Sequence, residues 1–344
     1  MSKPSITVVG AGILGLWQAL TLARRGYAVT LREAAARGEA GGSSRYAGAM
    51  LAPYCEAEAA EPLVEMLGLA AIESWRAAYP GLVSRGTLVV AAPRDQGELR
   101  RFAAMTRGHR QVADEELARL EPDLAGRFPR GLLYAAEAHL APRPAMAFLS
   151  CELERLGVAL RYGDAVPEPV HLAAAAGEAV IDCRGLAARA DLPDLRGVRG
   201  EMIVVRAPEI ALTRPVRLLH PRFPIYIVPW GEGLYMIGAT VIETENAGPV
   251  SVRSGLELLG TAFALHPGFA EAEIVELGAG IRPAFADNVP RVHVRGRRLL
   301  VNGAFRHGFL LAPALADAVA QLLAEGRRDH PLLAHERAAG EEPR

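Results

Sequence analysis

Gly10-Ala11-Gly12-Ile13-Leu14-Gly15, followed 18 positions later by Glu33, has the residue types and spacing to hold a pyrophosphate. Gly10 permits a tight turn out of a strand, Gly12 lets the backbone approach the phosphates, and Gly15 lets the following helix pack closely on that strand. Ile13 and Leu14 open the helix, whose unpaired N–H groups and positive dipole end face anionic oxygens. Glu33 can accept hydrogen bonds from ribose hydroxyls. A glycine triplet alone also fits any tight strand-to-helix turn. The order of strand, helix, second strand and terminal acid narrows the reading to a dinucleotide.

The elements that must position these residues are legible around them. Ile6–Val9 reads as a buried strand, Ile13–Arg25 as a helix closed by Gly26, and Ala28–Arg32 as the second strand. The apolar run from Ile6 to Ala23 imitates a signal peptide or membrane span, but its three glycines and its continuation into a second strand oppose that. No membrane association and a cytoplasmic location are expected. No second strand-helix-strand repeat follows. Instead comes a Gly/Ser loop, Gly38–Ser44, continuing to Arg45, and a small-residue segment, Ala47–Pro53. Such a loop suits a second pass along a cofactor as long as FAD, with Ser43, Ser44 and Arg45 as ligands. It equally suits a plain surface loop.

Further on, Pro62–Tyr79, Asp95–Arg107, Asp114–Leu120, Pro142–Leu156 and Val252–Leu265 read as helices. Thr87–Ala91, Leu132–Ala135, Val158–Tyr162 and Ala179–Asp182 read as strands. Arg199–Arg206, Ile225–Pro229, Leu234–Ala239 and Glu273–Ile281 read as a largely antiparallel sheet. Near the end, strand Arg298–Val301 precedes Gly308–Glu325, a loop leading into a helix. That helix start can face the N1/O2 edge of a flavin, where its dipole stabilises negative charge. It also suits a core helix after a turn. The fold expected is α/β, or α+β overall. A segmented Rossmann-like FAD-binding domain (residues 1–80, 139–198 and 278–344) carries an inserted, mainly antiparallel substrate-binding domain (81–138 and 199–277).

Composition removes other classes. The 344 residues carry a net charge of −1 with no long basic run, so no nucleic-acid partner is expected. Cys55, Cys151 and Cys183 form neither a disulfide framework nor a metal pattern, and suit a reducing compartment. No metal site, catalytic triad or paired carboxylates at a helical repeat stand out.

The chain resembles the D-amino-acid-oxidase-like flavoproteins, most closely their glycine-oxidase branch of thiamine biosynthesis. The resemblance covers nearly the whole chain. It rests on Gly10–Gly15 with Glu33, Ala47–Pro53, Tyr226-Ile227-Val228-Pro229, Ile237-Gly238-Ala239-Thr240, Gly280-Ile281-Arg282-Pro283 and Arg306-His307-Gly308-Phe309-Leu310-Leu311-Ala312-Pro313, in that order and spacing. It implies that Tyr226 and Arg282 bind the substrate carboxylate and that Arg306 faces the substrate. It implies a cofactor shell including Ala49, Met50, Gly185, His307, Gly308, Phe309 and Leu310 besides the residues above. A guanidinium pairs with a carboxylate through two parallel hydrogen bonds, and a phenol adds a third donor.

The implied reaction is oxidative deamination of glycine or a small related amino acid. Hydride passes from the substrate Cα to flavin N5, and oxygen reoxidises the flavin with release of hydrogen peroxide. The imine either hydrolyses or feeds thiazole formation. The FAD is expected to be non-covalent, because no cysteine follows Cys183. A homo-oligomer is implied as well.

Two departures from the family pattern stand out. Ala304-Phe305 precede Arg306 and His307 follows it, and Asp182-Cys183-Arg184-Gly185 replaces small residues at a strand end. His307 is either a proton carrier near neutral pH or a residue that caps a turn or faces solvent. Rival activities are a D-amino acid or sarcosine-type oxidase or dehydrogenase, a flavin enzyme acting on a carboxymethylamino group of modified tRNA, and a scaffold that holds FAD without chemistry.

Overall fold

The structure, a computed structural model, describes residues 4–37, 42–166 and 179–334. In chain order the strands are β1 (Ser5–Val9), β2 (Ala28–Glu33), β3 (Met50–Leu51), β4 (Thr87–Ala91), β5 (Arg110–Ala113), β6 (Arg130–Tyr134), β7 (Ala138–His139), β8 (Ala159–Tyr162), β9 (Ala179–Asp182), β10 (Arg196–Arg206), β11 (Val216–Leu219), β12 (Ile225–Gly231), β13 (Leu234–Gly238), β14 (Glu273–Ala284), β15 (Arg291–Arg295) and β16 (Arg298–Asn302). The chain divides into two compact units.

The first unit comprises residues 1–41, 149–196 and 283–344. Its six-stranded sheet has the order β15-β16-β9-β1-β2-β8. Strand β1 runs parallel to β2 on one side and to β9 on the other. Ile6, Val8, Val180 and Ile181 are buried, the continuous apolar texture of parallel strands covered on both faces. Helix Ile13–Arg24 packs against the final helix, Gly308–Glu325. Gly26, in the left-handed region at φ 82°, turns the chain from the first helix toward β2. Among the described residues the final helix alone is long and apolar enough to cross a membrane. Yet 56% of it is buried inside the protein, as in a core helix. It begins at Gly308 itself, with no loop inside the expected 308–325 span.

The second unit comprises residues 42–148 and 197–282. Residues 42–80 and 139–148, which the sequence grouped with the nucleotide-binding segments, pack within it. Its eight-stranded sheet has the order β14-β10-β13-β12-β11-β4-β6-β5. The pairings β10/β13, β12/β13, β11/β12, β4/β6 and β5/β6 are antiparallel, and β4/β11 is parallel. One apolar cluster joins the sheet to helix Val252–Leu265 through Ile203, Val205, Ile227, Ile237, Leu258 and Leu265. That helix starts at Ser251, whose Oγ accepts the Ser254 N–H at 3.2 Å. Met202, Val204, Val228 and Met236 form a separate cluster with Tyr46 and Tyr226.

Strands β3, β5, β7, β11 and β15 were not expected from sequence. Strands β5 and β15 are edges of the larger sheets: Arg110-Gln111 give β5 polar residues that keep an edge from pairing further, while Val292 of β15 makes a single further bridge to Leu333. Strand β11 is internal but only four residues long.

A two-stranded clasp, β3 with β7, holds the segment before Pro53. Beside it, Glu137 is fully buried and accepts the Cys55 N–H at 2.8 Å. Burial, against help from Thr87 and Cys55, pushes its carboxyl up to about 7. His139, also buried, is pushed down to about 4 by desolvation despite a bond to the Pro229 backbone. The two groups act on stability with opposite sign. Glu137 has a raised folded pKa, so its contribution is intact below the unfolded value near 4.5 and is lost as pH rises to about 7. His139 has a depressed folded pKa, so its contribution is intact above 6.5 and is lost as pH falls toward 4. Replacing Glu137 with Gln should therefore shift the melting temperature relative to the parent increasingly upward between pH 4.5 and 7. The span corresponds to about 3 kcal/mol. Parallel melting curves for the two proteins across that range would refute the assignment.

Candidate cofactor and substrate site

The nucleotide half is built in the first unit from backbone more than from side chains. Gly10 sits at φ 100°, and a Cβ there would meet the Cys183 carbonyl oxygen at 2.7 Å. A Cβ at Gly15 would lie 1.8 Å from the Gly10 carbonyl oxygen. Both glycines are therefore needed for space, and Gly10 for its backbone angle as well. Gly12 is the cap of helix Ile13–Arg24, and no side chain closes that helix start. Ile13 and Leu14 form its first turn. Glu33, ending β2, accepts the Ala11 N–H at 2.6 Å and the Ala35 N–H at 2.9 Å. Its carboxylate is thereby fixed beside the glycine turn, and each oxygen keeps a further lone pair for a hydroxyl donor.

A second helix start lies against the first. A Cβ on Gly308 would touch Ile13 Cγ2 at 3.4 Å. No side chain caps the helix Gly308–Glu325 either, and Phe309 and Leu310 in its first turn are buried. The loop before it is held rigidly. Asn302 is buried; its amide donates to the Gly185 carbonyl at 2.8 Å and its Oδ1 accepts the Gly303 N–H at 2.8 Å. Phe305 has a left-handed backbone at φ 45°, and its N–H donates to Pro283 O at 2.8 Å. A strained, fixed conformation of a non-glycine residue is common where a ligand is gripped. Arg306 follows, half-buried.

His307 is 3% exposed, so the solvent-facing reading of it fails, and its side chain does not cap the final helix. Its backbone does the turning, by donating to Ala304 O at 2.7 Å.

The departure at Asp182-Cys183-Arg184 has a structural cause. Asp182 is buried and takes Arg184 at 3.0 Å and Arg298 at 2.5 Å, and Arg298 also reaches Asp191. The ion pairs tie the end of β9 to β16, and the Cys183 carbonyl then seats Gly10. Gly185 follows with φ 58°. Two uncapped helix starts, a glycine turn that a Cβ would fill and a fixed carboxylate at the second strand end are what an FAD pyrophosphate and ribose require. The residues fit that group.

In the second unit, Tyr226 on β12 has its ring wedged between two glycines. A Cβ at Gly48 would meet Tyr226 Cε2 at 2.7 Å, and one at Gly238 would meet it at 3.4 Å. Arg282 on β14 donates from Nη1 to the Thr240 carbonyl at 3.1 Å. Strands β12 and β14 are separated by β13 and β10, roughly 14 Å at the usual strand spacing. Tyr226 packs with the Met202 and Met236 cluster, and Gly278, two alternations before Arg282, faces Met202. Tyr226 and Arg282 thus project from one sheet face.

Ser43, Ser44 and Arg45 form a short 3-10 helix, Gly42–Tyr46, in this unit rather than an open loop; residues 38–41 of the expected loop lie outside the described residues. Ala49 is buried with φ 49°, its carbonyl accepts the Leu140 N–H, and Met50 pairs with His139. Sequence reasoning missed Asn302, Thr240 and Gly200 as supporting residues. Asn302 gave one signal: a polar residue closing an apolar strand just before glycine.

The family of FAD dependent oxidoreductases termed DAO matches residues 5–322. A protein of Rhizobium etli named as the thiamine biosynthesis oxidoreductase ThiO is 52% identical over 319 residues, covering 92% of this chain and 96% of that one. A glycine oxidase of Geobacillus kaustophilus is 29% identical over 357 residues, covering 92% of each. The crystal structure of a glycine oxidase from Bacillus cereus shares the fold with a TM-score of 0.79 at 19% identity, over 96% of this chain and 97% of that one. With its glycine turn, fixed acid and paired helix starts in place, the chain belongs to the DAO family and is an FAD-dependent oxidoreductase.

Proposed function

We propose that this enzyme oxidatively deaminates glycine or a closely related small amino acid, with oxygen as the final acceptor and hydrogen peroxide as a product. The imino product would feed thiazole formation in thiamine biosynthesis. The observation that carries the reading is the pair Tyr226 and Arg282 on one sheet face of an FAD-dependent oxidoreductase. The names of the relatives, ThiO and glycine oxidase, support it.

Bound flavin supplies the two-electron acceptor chemistry. The chain's own groups supply binding and orientation. Arg282 offers parallel N–H donors to a carboxylate, and the Tyr226 phenol adds a further donor. Holding the carboxylate fixes the position of the Cα–H bond, which is an entropic contribution to rate. Arg306 is assigned to the substrate on the family pattern alone. The Glu33 carboxylate and the two helix starts hold the cofactor, which we take to be non-covalent because the chain has no cysteine beyond Cys183. All three cysteines are free, as suits a cytoplasmic enzyme.

Purified holoenzyme should release peroxide and ammonia in equal amounts from glycine. Turnover of none among glycine, sarcosine and small D-amino acids would sink the proposal. Reduction of an artificial acceptor by glycine without peroxide formation would instead favour a dehydrogenase. Arg282→Ala should lower kcat/KM for glycine by about a thousandfold while the bound flavin spectrum persists, the loss expected for a charge-assisted bidentate contact. Tyr226→Phe, which removes a single hydrogen bond, should cost about tenfold. Steady-state kinetics over a wide glycine range checks both.

A further inference from the structure

Strand β10 contains a glycine that neither backbone geometry nor a turn explains. Gly200 does not lie in the left-handed region, so its backbone suits any L-residue. It sits in the middle of an otherwise ordinary 11-residue strand, where glycine is unfavourable. What fills the missing side chain's place is the guanidinium of Arg282. A Cβ at Gly200 would lie 2.0 Å from Nη2, 2.2 Å from Cζ and 2.5 Å from Nη1. The obstructing atoms are the far end of a flexible side chain rather than backbone. An alanine there would move Arg282 and leave the strand intact.

A hydrogen bond from that guanidinium is equally constrained. Nη1 donates to the Thr240 carbonyl at 3.1 Å. Thr240 is locked twice to Glu201: its N–H donates to Glu201 O at 3.1 Å, and its Oγ1 accepts the Glu201 N–H at 2.9 Å. Glu201 is 1% exposed and Arg199 is 4% exposed, and the two form an ion pair. Glu201 also accepts the Ser251 N–H at 3.2 Å, while Arg199 donates to Pro249 O at 2.6 Å and to Asn246 O. The chain from Thr240 to Ser251 is thereby stitched to β10. A buried pair of this kind adds little net stability, because desolvation offsets the attraction. It does define a single geometry.

We propose that Gly200 and Thr240 are positioning residues for Arg282, Gly200 by leaving the space its guanidinium lies in and Thr240 by fixing its rotation, with Arg199–Glu201 as their anchor. The inference rests on the reading that Arg282 binds the substrate carboxylate. Gly200 then sets the reach of the guanidinium, and a side chain at 200 places the substrate wrongly rather than unfolding the enzyme.

The test is a double-mutant cycle on the FAD-loaded enzyme, with glycine as substrate. Gly200→Ala should keep the melting temperature and flavin spectrum of the parent, yet lose about a hundredfold in kcat/KM, chiefly through KM. In the Arg282→Ala background, measured at high glycine, the same change should cost less than about twofold, because its target is gone. Thr240→Ala should cost about tenfold and Thr240→Ser should restore near-parental values. An equal loss from Gly200→Ala in both backgrounds would overturn the positioning role. So would an unaffected Gly200→Ala enzyme alongside an Arg282→Ala enzyme that fails. An Arg282→Ala enzyme of parental activity would overturn the carboxylate reading itself, and this inference with it.

Discussion

The first unit depends on one close approach, that of helix Ile13–Arg24 to the turn before it. The Gly10 carbonyl occupies the space of any side chain at Gly15, at 1.8 Å from where a Cβ would stand. Only that absence lets the helix begin directly at the end of β1, with no side chain capping its start beside the turn. The other parts follow from this placement. Cys183 at the end of β9 closes over Gly10. Glu33 at the end of β2 binds back to Ala11. The final helix brings its own uncapped start against Ile13. A phosphate-binding turn is therefore a packing problem before it is an electrostatic one. The dipole and backbone N–H groups become useful because the glycines leave space beside them.

The same economy of space recurs around the side chains proposed to bind substrate and beside the final loop. The Tyr226 ring lies in the gap left by Gly48 and Gly238, the Arg282 guanidinium in the gap left by Gly200, and the Phe285 ring in the gap left by Gly303. In each case a side chain is confined by a glycine on a neighbouring segment. Confinement limits rotamers, and limited rotamers are what orient a donor. Buried ion pairs act in parallel. Asp182 with Arg298 fixes the ends of β9 and β16, and Arg199 with Glu201 fixes the segment that carries Thr240. Their value lies in defining geometry, since desolvation consumes most of the attraction between buried charges.

The sequence by itself determined the dinucleotide unit. Gly10 to Gly15, the second strand and Glu33 form a local pattern within about thirty residues, and local patterns need no distant partner to be read. Helices Asp114–Leu120 and Val252–Leu265 were likewise legible, from their periodicity and bounds. The tertiary structure alone decided which segments pack together. Residues 42–80 read as a continuation of the nucleotide-binding segments and instead pack within the second unit, because sheet partners lie far along the chain. It alone showed His307 to be buried. It alone placed the Arg282 guanidinium in the space at Gly200 and against the Thr240 carbonyl, and Asn302 between Gly185 and Gly303, since a glycine in a strand says nothing until the side chain that uses its space is known. Motifs record what the backbone does within a few residues. The shape of a substrate site is set by contacts between strands distant in sequence, and those are fixed only when the chain folds.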